Sequence, residues 1–558
     1  MVFCDTVWVP IKAIVQVGIW VALGALAFLA PQGLEPVWEK AEAGFRASAR
    51  RRWLSCLAVA LLVLVGRGAL LVVWDFPQPV VQDEFGYLLQ GETFASGRLT
   101  NPTHPQAAFF EAPYVLQQPT YTAKFPPGQG LALAVGIAVF GHPWFGVWLS
   151  CGLLAAALCW ALQGWMEPEW ALLGALLTVP FCVFTYCMNS YWGGAVAGIG
   201  GALVYGAAGR MGRQAGMGAV FAVGAVVLAM TRPFEGLLAL LPLLPLLTRL
   251  QWREWGALVL VGAAGAGFLC FYNAQVTGDP LRLPYVEYER QNPMTSHFSI
   301  VAMPPQKEFA RAGMQVTDHW ERMAWEHTHR PGFLLRRLGE LRDRVTAYFG
   351  TAAVLIPMIA FAGVWLRRRE LWLVFGAAGL MVAAGLVETV FFGHYATPVL
   401  AGLLLLTMEG VRALRRWRGV TGLWMARLLP VAALLIAVLE PGAKLVKGES
   451  LDSVGAGGRA LVEELLAPRA GDHVVLVRHT SPSPFEPRWE KYESMELTPI
   501  YVEFVYNGAN VDSQRVIWAH DLGEEANQRL RGYYKGRSFW LYDPAVSDRS
   551  VTRMWAEF

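Results

Sequence analysis

Charge is scarce in this sequence. Only 16% of its 558 residues are charged, against 55% hydrophobic residues and 23 tryptophans. So few charges cannot cover the surface of a water-soluble core of this size, which makes lipid the solvent for most of the chain. The small net charge of +3 is scattered, so it excludes the basic face that nucleic-acid phosphates would require. Cysteines are few, and none lies beyond residue 270. Cys4, Cys56, Cys151, Cys159, Cys182, Cys187 and Cys270 fall in or beside apolar runs without paired CxxC spacing, excluding a disulfide framework or a thiolate metal site. They read as small buried packing residues. The first apolar run, 11–30, lacks a basic leader, because Lys12 is set against Asp5, and it is therefore not expected to be a cleaved signal. There is no glycine-rich phosphate loop, internal repeat or low-complexity tract.

What the chain has instead is apolar runs. Runs approaching the roughly 20 residues of a membrane span lie at 11–30, 53–74, 144–163, 170–188, 192–208, 215–231, 234–248, 255–273, 346–366, 371–392, 395–411 and 423–440. Threaded alternately, they put Arg210 with Arg213, Arg249 with Arg253, Arg367 to Arg369 and Arg412 to Arg418 on one side, the inner side by the charge rule. The apolar stretch Pro127 to Phe140 is too short for a span and would invert every later basic loop, so it is expected to be an interfacial or re-entrant helix. From about Pro441 the composition turns to alternating polar and apolar residues. Runs at 473–479, 515–521 and 538–544 read as strands, with helical spacing at 458–467 and 523–534. The expected fold is an α-helical polytopic membrane protein of about 12 transmembrane helices plus the re-entrant helix (residues 1–440), with a small extracytoplasmic α/β domain (441–558).

Most unusual polar motifs collect on the outer side. In the first outer loop, QDEFGYLLQGETFASGRLTNP (82–102), Asp83 and Glu84 open a short helical pattern that Gly97 can close. Asp83 is suited to cap that helix by accepting a backbone N–H. Equally, a carboxylate at the rim, beside apolar residues, can orient or deprotonate a hydroxyl. The two roles are compatible. The same loop carries His104, Glu111 and the segment QQPTYTAKFPPGQG (117–130), with Tyr121 and Lys124. Lys124 is either a snorkelling anchor or a partner for a phosphate held at headgroup depth.

An acidic pair soon after an early span, followed by Lys-x-Pro-Pro leading into an apolar helix, resembles the GT-C superfamily of membrane glycosyltransferases. The likeness is to protein O-mannosyltransferases and the aminoarabinose transferase acting on lipid A. It implies a polyprenyl-phosphate-linked sugar donor, Asp83 as catalytic base, Glu84 as its acidic neighbour and Lys124 as the phosphate contact. The close match is confined to the first loop, with an extra span before it and Phe125 at the variable position.

Three other features join the candidate set. NSYWGG (189–194) links two spans, where its aromatics suit an interfacial belt. In MTRPFEG (230–236), Arg232 with Glu235 is a structural ion pair or a second phosphate contact. His394 and Tyr395 stand at the start of the eleventh run, and Arg67 lies inside the second, where it can pair with Asp75 or approach the same site. Substrate contacts are therefore sought among Lys124, Arg232, Glu235, His104, Glu111, Tyr121 and His394. Asp512, His520 and Asp521 read as ordinary loop and strand-end residues. No metal ligand set is seen and no cofactor is required, although a divalent ion is compatible with the chemistry. The expected partners are the lipid bilayer, a polyprenyl-phosphate sugar and an envelope glycan, lipid or protein acceptor, at a bacterial inner membrane. The rival readings are a lipid-linked saccharide flippase and a non-catalytic envelope scaffold. A flippase would favour charges near the midplane and paired repeats.

Overall fold

In lipid a backbone has to satisfy its own hydrogen bonds, and the apolar runs of this chain do so as helices. The structure, a computed structural model, describes residues 15–26, 31–349, 351–447, 451, 458–478, 505–543 and 551–554. Cys4 and the ends of the first apolar run lie outside the described residues, as do His479 and Pro544 at the ends of two expected strands. Among the described residues six helices are long and apolar enough to cross a membrane: Arg52–Val72, Trp144–Leu162, Trp252–Thr277, Arg369–Val387, Gly393–Arg416 and Val420–Lys447. Shorter apolar helices occupy Val15–Leu26, Pro127–Phe140, Pro168–Phe184, Ala195–Ala208 and Met217–Ala229.

Three expected spans are broken, and proline accounts for the breaks. The run at 170–188 divides into Pro168–Leu176 and Val179–Phe184, with Pro180 opening the second piece. The run at 234–248 is helical over Pro233–Leu240, then tightens to a 3-10 helix, Leu241–Arg249, around Pro242 and Pro245. The run at 346–366 consists of a 3-10 turn and two short helices, Ile356–Ala360 and Ala362–Trp365, with Pro357 at the start of the first.

The short helix Pro127–Phe140 is wedged between the first-loop helix Gln82–Ala95 and the span Trp144–Leu162. Close approach there depends on glycine, because a Cβ on Gly136 would lie 2.3 Å from the Gly146 nitrogen. At the other end of the bundle the amphipathic helix Pro31–Ala49 is clamped by carboxylate pairs: Glu42 to Arg415 at 2.7 Å and Glu35 to Arg427 at 2.8 Å.

Two strands in the first loop, β1 (Val115–Leu116) and β2 (Thr122–Ala123), pair antiparallel. Toward the C-terminus β3 (His473–Val477), β4 (Val516–His520), β5 (Ser538–Tyr542) and β6 (Val551–Met554) form one sheet in the order β4-β3-β5-β6. β3 is parallel to both neighbours and β6 is antiparallel to β5. The helices Gly458–Leu466 and Glu524–Tyr533 accompany the sheet. One face of this sheet closes over the first loop, so that Leu89, Phe109, Phe110 and Val115 share a core with Val474, Leu476, Ile517 and Phe539.

Candidate active site

The adjacent acids of the first-loop helix divide the labour that the sequence leaves to either. Val81 is the N-cap, and the Glu84 carboxylate folds back to accept the N–H groups of Val80 at 2.8 Å and Val81 at 3.1 Å. Its other oxygen accepts the Tyr191 N–H at 3.0 Å, tying the NSYWGG turn to the helix start. Capping by Asp83 is thus corrected: Glu84, one residue further along, has the reach to bend back. Asp83 instead faces a cavity. At the other end of the helix Gly97 takes φ +76°, the left-handed conformation that ends helices, as its position suggests.

Lys124 follows β2 and is 5% exposed. Its Nζ lies 3.7 Å from the centre of the Tyr114 ring, 4.9 Å from that of Tyr288, and 3.6 Å from a Glu289 oxygen. The segment after it is held by Gln90, whose side-chain amide donates to the Phe125 carbonyl at 2.7 Å. Phe125 stacks on Tyr87 at 4.4 Å and lies where Gly86 has no side chain, since a Cβ there would meet the ring at 2.7 Å. The variable residue of Lys-x-Pro-Pro is therefore a packing element against the acidic helix.

Arg232 completes the charged set. Its guanidinium lies 4.0 Å from the Tyr395 ring centre and 3.7 Å from Glu235. Asp83, Lys124, Arg232 and Glu235 all line one cavity of about 500 Å³. The far wall comes from the loop after the long helix Trp252–Thr277 and brings residues the sequence does not single out: Glu289, His297, Glu321, Tyr285 and Trp320. Glu321 is held by the hydroxyls of Tyr114 at 3.0 Å and Thr295 at 2.7 Å. Glu388, at the end of the span Arg369–Val387, also lines the cavity.

Burial dominates the titration of these groups. It pushes the Asp83 carboxyl above its ordinary range against the pull of Lys124 and Arg232. It raises Glu289 to about 6 and also lifts Glu321, with Lys124 opposing both shifts. His297 is lowered to about 4 by burial and by the charge of Lys124, which keeps it neutral. The site thus sets a carboxyl raised by burial close to two cations, with a neutral His297 in the facing wall. Among the described residues no group of three or more His, Cys, Asp or Glu side chains is placed to hold a metal ion.

Other sequence candidates lie elsewhere. His104 bonds Asp512 at 2.9 Å and Tyr534 at 3.2 Å, at the joint between the first loop and the C-terminal sheet. Tyr121 donates to the Asn507 carbonyl at 2.8 Å, and the Glu111 carbonyl meets His520 at 2.7 Å, in the same joint. None of these three lines the cavity, and in the structure all three join the first loop to the C-terminal part. Asp512 and His520 gain an architectural role, while Asp521 pairs with Arg478 within the C-terminal unit. His394 is buried behind the cavity wall, its ring stacked on Phe392. The belt reading of NSYWGG is also corrected: Tyr191 is 2% exposed and Trp192 lines the cavity. Arg67 reaches the Asp75 backbone carbonyl at 3.1 Å and the Asn189 side chain at 2.9 Å, bracing the same turn. Of the missed residues, Glu388 carried a signal, as an acid inside an apolar run. Glu289 and Glu321 carried none, because acids on polar amphipathic helices are ordinary.

No family model matches the chain, and the search of curated proteins finds no match. Among solved structures the chain is similar to ArnT from Cupriavidus metallidurans bound to undecaprenyl phosphate. The TM-score is 0.46 and the identity 14%, over 87% of this chain and 92% of that one. It is also similar to the apo Archaeoglobus fulgidus oligosaccharyltransferase, with TM-score 0.45 and 13% identity over 76% and 62% of the two chains. A third is AglB from the same archaeon in complex with an inhibitory peptide and a dolichol-phosphate, with TM-score 0.44 and 11% identity over 88% and 69%.

Proposed function

We propose that this protein is a membrane glycosyltransferase that moves a sugar from a polyprenyl-phosphate-linked donor to a hydroxyl-bearing envelope acceptor. The observation that carries the reading is the meeting of Asp83, Lys124 and Arg232 around one cavity. In this scheme Asp83 takes the proton of the acceptor hydroxyl, whose oxygen bonds to the anomeric carbon while the bond from that carbon to the phosphate oxygen breaks. The polyprenyl phosphate leaves with the electron pair, and Lys124 and Arg232 stabilise its charge. The raised Asp83 carboxyl favours this role, since a capping carboxylate held fully anionic would be a poor base. Glu235 orients Arg232, and Glu84 fixes the helix that carries Asp83. Glu289, Glu321 and His297 face the sugar or acceptor from the far wall.

The reading includes about 12 membrane passages, counting the broken helices, with the cavity at the outer face of a bacterial inner membrane. The expected boundary at 441 falls inside the helix Val420–Lys447, so the extracytoplasmic unit seated on the first loop is read as beginning after that helix. The test is transfer from labelled polyprenyl-phosphate sugars in proteoliposomes, comparing the native chain with Asp83→Asn and Lys124→Ala at matched folding. Loss of transfer in Asp83→Asn with donor binding kept supports the assignment. Undiminished transfer in that variant sinks it, and lipid translocation without transfer favours a flippase.

A further inference from the structure

A second cavity lies at the other end of the helix bundle, and its wall is made of arginine. About 540 Å³ in volume, it is lined by Arg52, Arg210, Arg213, Arg368 and Arg412, with Glu167 as its one carboxylate. A smaller cavity of about 360 Å³ shares Arg213 and Arg368 with it and adds Arg249. Three helices connect this end to the catalytic cavity. Ala195–Ala208 runs from Trp192 to Arg210, Arg369–Val387 from Arg368 to Glu388, and Gly393–Arg416 from Tyr395 to Arg412. At 1.5 Å per residue, the 19 residues of Arg369–Val387 span about 28 Å, close to the hydrocarbon thickness of a bilayer. The arginine cavity therefore opens at the opposite membrane surface.

More than a general excess of positive charge is built here. Arg412 and Arg368 are neutralised by Glu167 and Glu409 at 2.7 to 3.2 Å. Among the described residues Arg52, Arg210 and Arg213 have no carboxylate within ion-pair distance. Arg210 is 5% exposed, donates to the carbonyls of Gly206 at 2.8 Å and Trp160 at 2.6 Å, and lies 4.2 Å from the Trp160 ring centre. Arg213 donates to the Gly164 carbonyl at 3.0 Å. Glycine makes the close packing feasible: a Cβ on Gly164 would lie 2.6 Å from the Arg210 guanidinium, and one on Gly206 2.1 Å from Trp160. Burial lowers Arg210 to about 10, with Arg52 and Arg213 adding to the shift. An uncompensated set of cations has thus been fixed around a hollow at headgroup depth.

We propose that this cavity binds the phosphate headgroup of an anionic phospholipid in the inner leaflet. Guanidinium forks suit phosphate oxygens, and basic hollows between membrane helices are sites of this kind. The site has its own residues and does not depend on the glycosyltransferase reading.

The test uses the full chain purified in neutral detergent, with native mass spectrometry reading retention of phosphatidylglycerol against phosphatidylcholine. Selective retention of phosphatidylglycerol is expected, weakened roughly 30-fold in the Arg52→Gln/Arg213→Gln double variant. Both side chains are exposed, and unchanged thermal melting confirms that the variant folds. Arg416→Gln, exposed at the same end but outside the cavity, should leave retention unchanged. Equal weakening by Arg416→Gln, or none in the double variant, overturns the site. Stabilisation by inorganic phosphate as strong as by phosphatidylglycerol overturns the lipid as its source.

Discussion

Asp83 and Glu84 are neighbours with opposite expectations under mutation. Asp83→Asn should lower sugar transfer by about 10²- to 10⁴-fold, the usual contribution of a general base, measured as initial rate at saturating donor. The sign of its pH effect follows from burial. A carboxyl held above its ordinary range is still protonated where a free aspartate has ionised, so transfer should rise with pH along a limb above the ordinary value of about 3.9. In stability the same shift favours the folded state when the carboxyl is protonated, and that advantage is lost as pH rises through the raised value. Asp83→Asn should therefore melt no lower than the native protein at pH 7 while failing to transfer; a clear loss of stability would contradict the buried anion. Glu84→Ala should do the reverse, leaving the N–H groups of Val80, Val81 and Tyr191 without their acceptor. A loss of about 1 to 3 kcal/mol for each group that stays dry is expected in denaturation experiments, with transfer reduced through misplacement of the helix.

At the scale of elements, glycine contacts set the site. Gly86 and Gly91 on the first-loop helix face Phe125 and Leu133, at separations of 2.7 and 2.8 Å from an added Cβ. Gly91→Val should cost about 1 to 3 kcal/mol by overpacking and should lower transfer with it, a paired loss visible in melting and rate measurements. The first-loop helix and its glycine stop were legible in sequence because both signals are local. The breaks at Pro180, Pro242 and Pro357 were written in the residues too, but hydropathy averages over them. The cavity's far wall was not legible: Glu289 and Glu321 meet Lys124 only after the chain returns from the long helix Trp252–Thr277, and no spacing rule links residues that far apart. His104, Tyr121 and Glu111 looked like substrate contacts for a related reason. A polar residue in an outer loop has the same sequence signature whether it meets a ligand or a distant part of its own chain.

Across the whole molecule the first loop and the C-terminal sheet share one buried core and should melt together. Phe85 stacks on Tyr506 at 4.5 Å, whose hydroxyl donates to the Pro113 carbonyl at 3.1 Å. Tyr506→Ala should cost about 3 to 5 kcal/mol, as for other large aromatic truncations, and should expose both the loop and the sheet to protease. Independent melting of the two parts would contradict the shared core. That core also has a consequence in time. The Glu92 carboxylate accepts the Ala509 N–H from 417 residues further along the chain. At synthesis rates of about 5 to 20 residues per second, the first loop waits roughly 20 to 80 seconds for its partner to be made. During that interval the apolar face of the first loop is open to chaperones and to misassembly. Every residue lining the cavity has been made once synthesis reaches Tyr395, yet the loop that carries Asp83 and Lys124 acquires its outer cover only with the C-terminal sheet, so folding of that loop is timed by the arrival of β3 to β5.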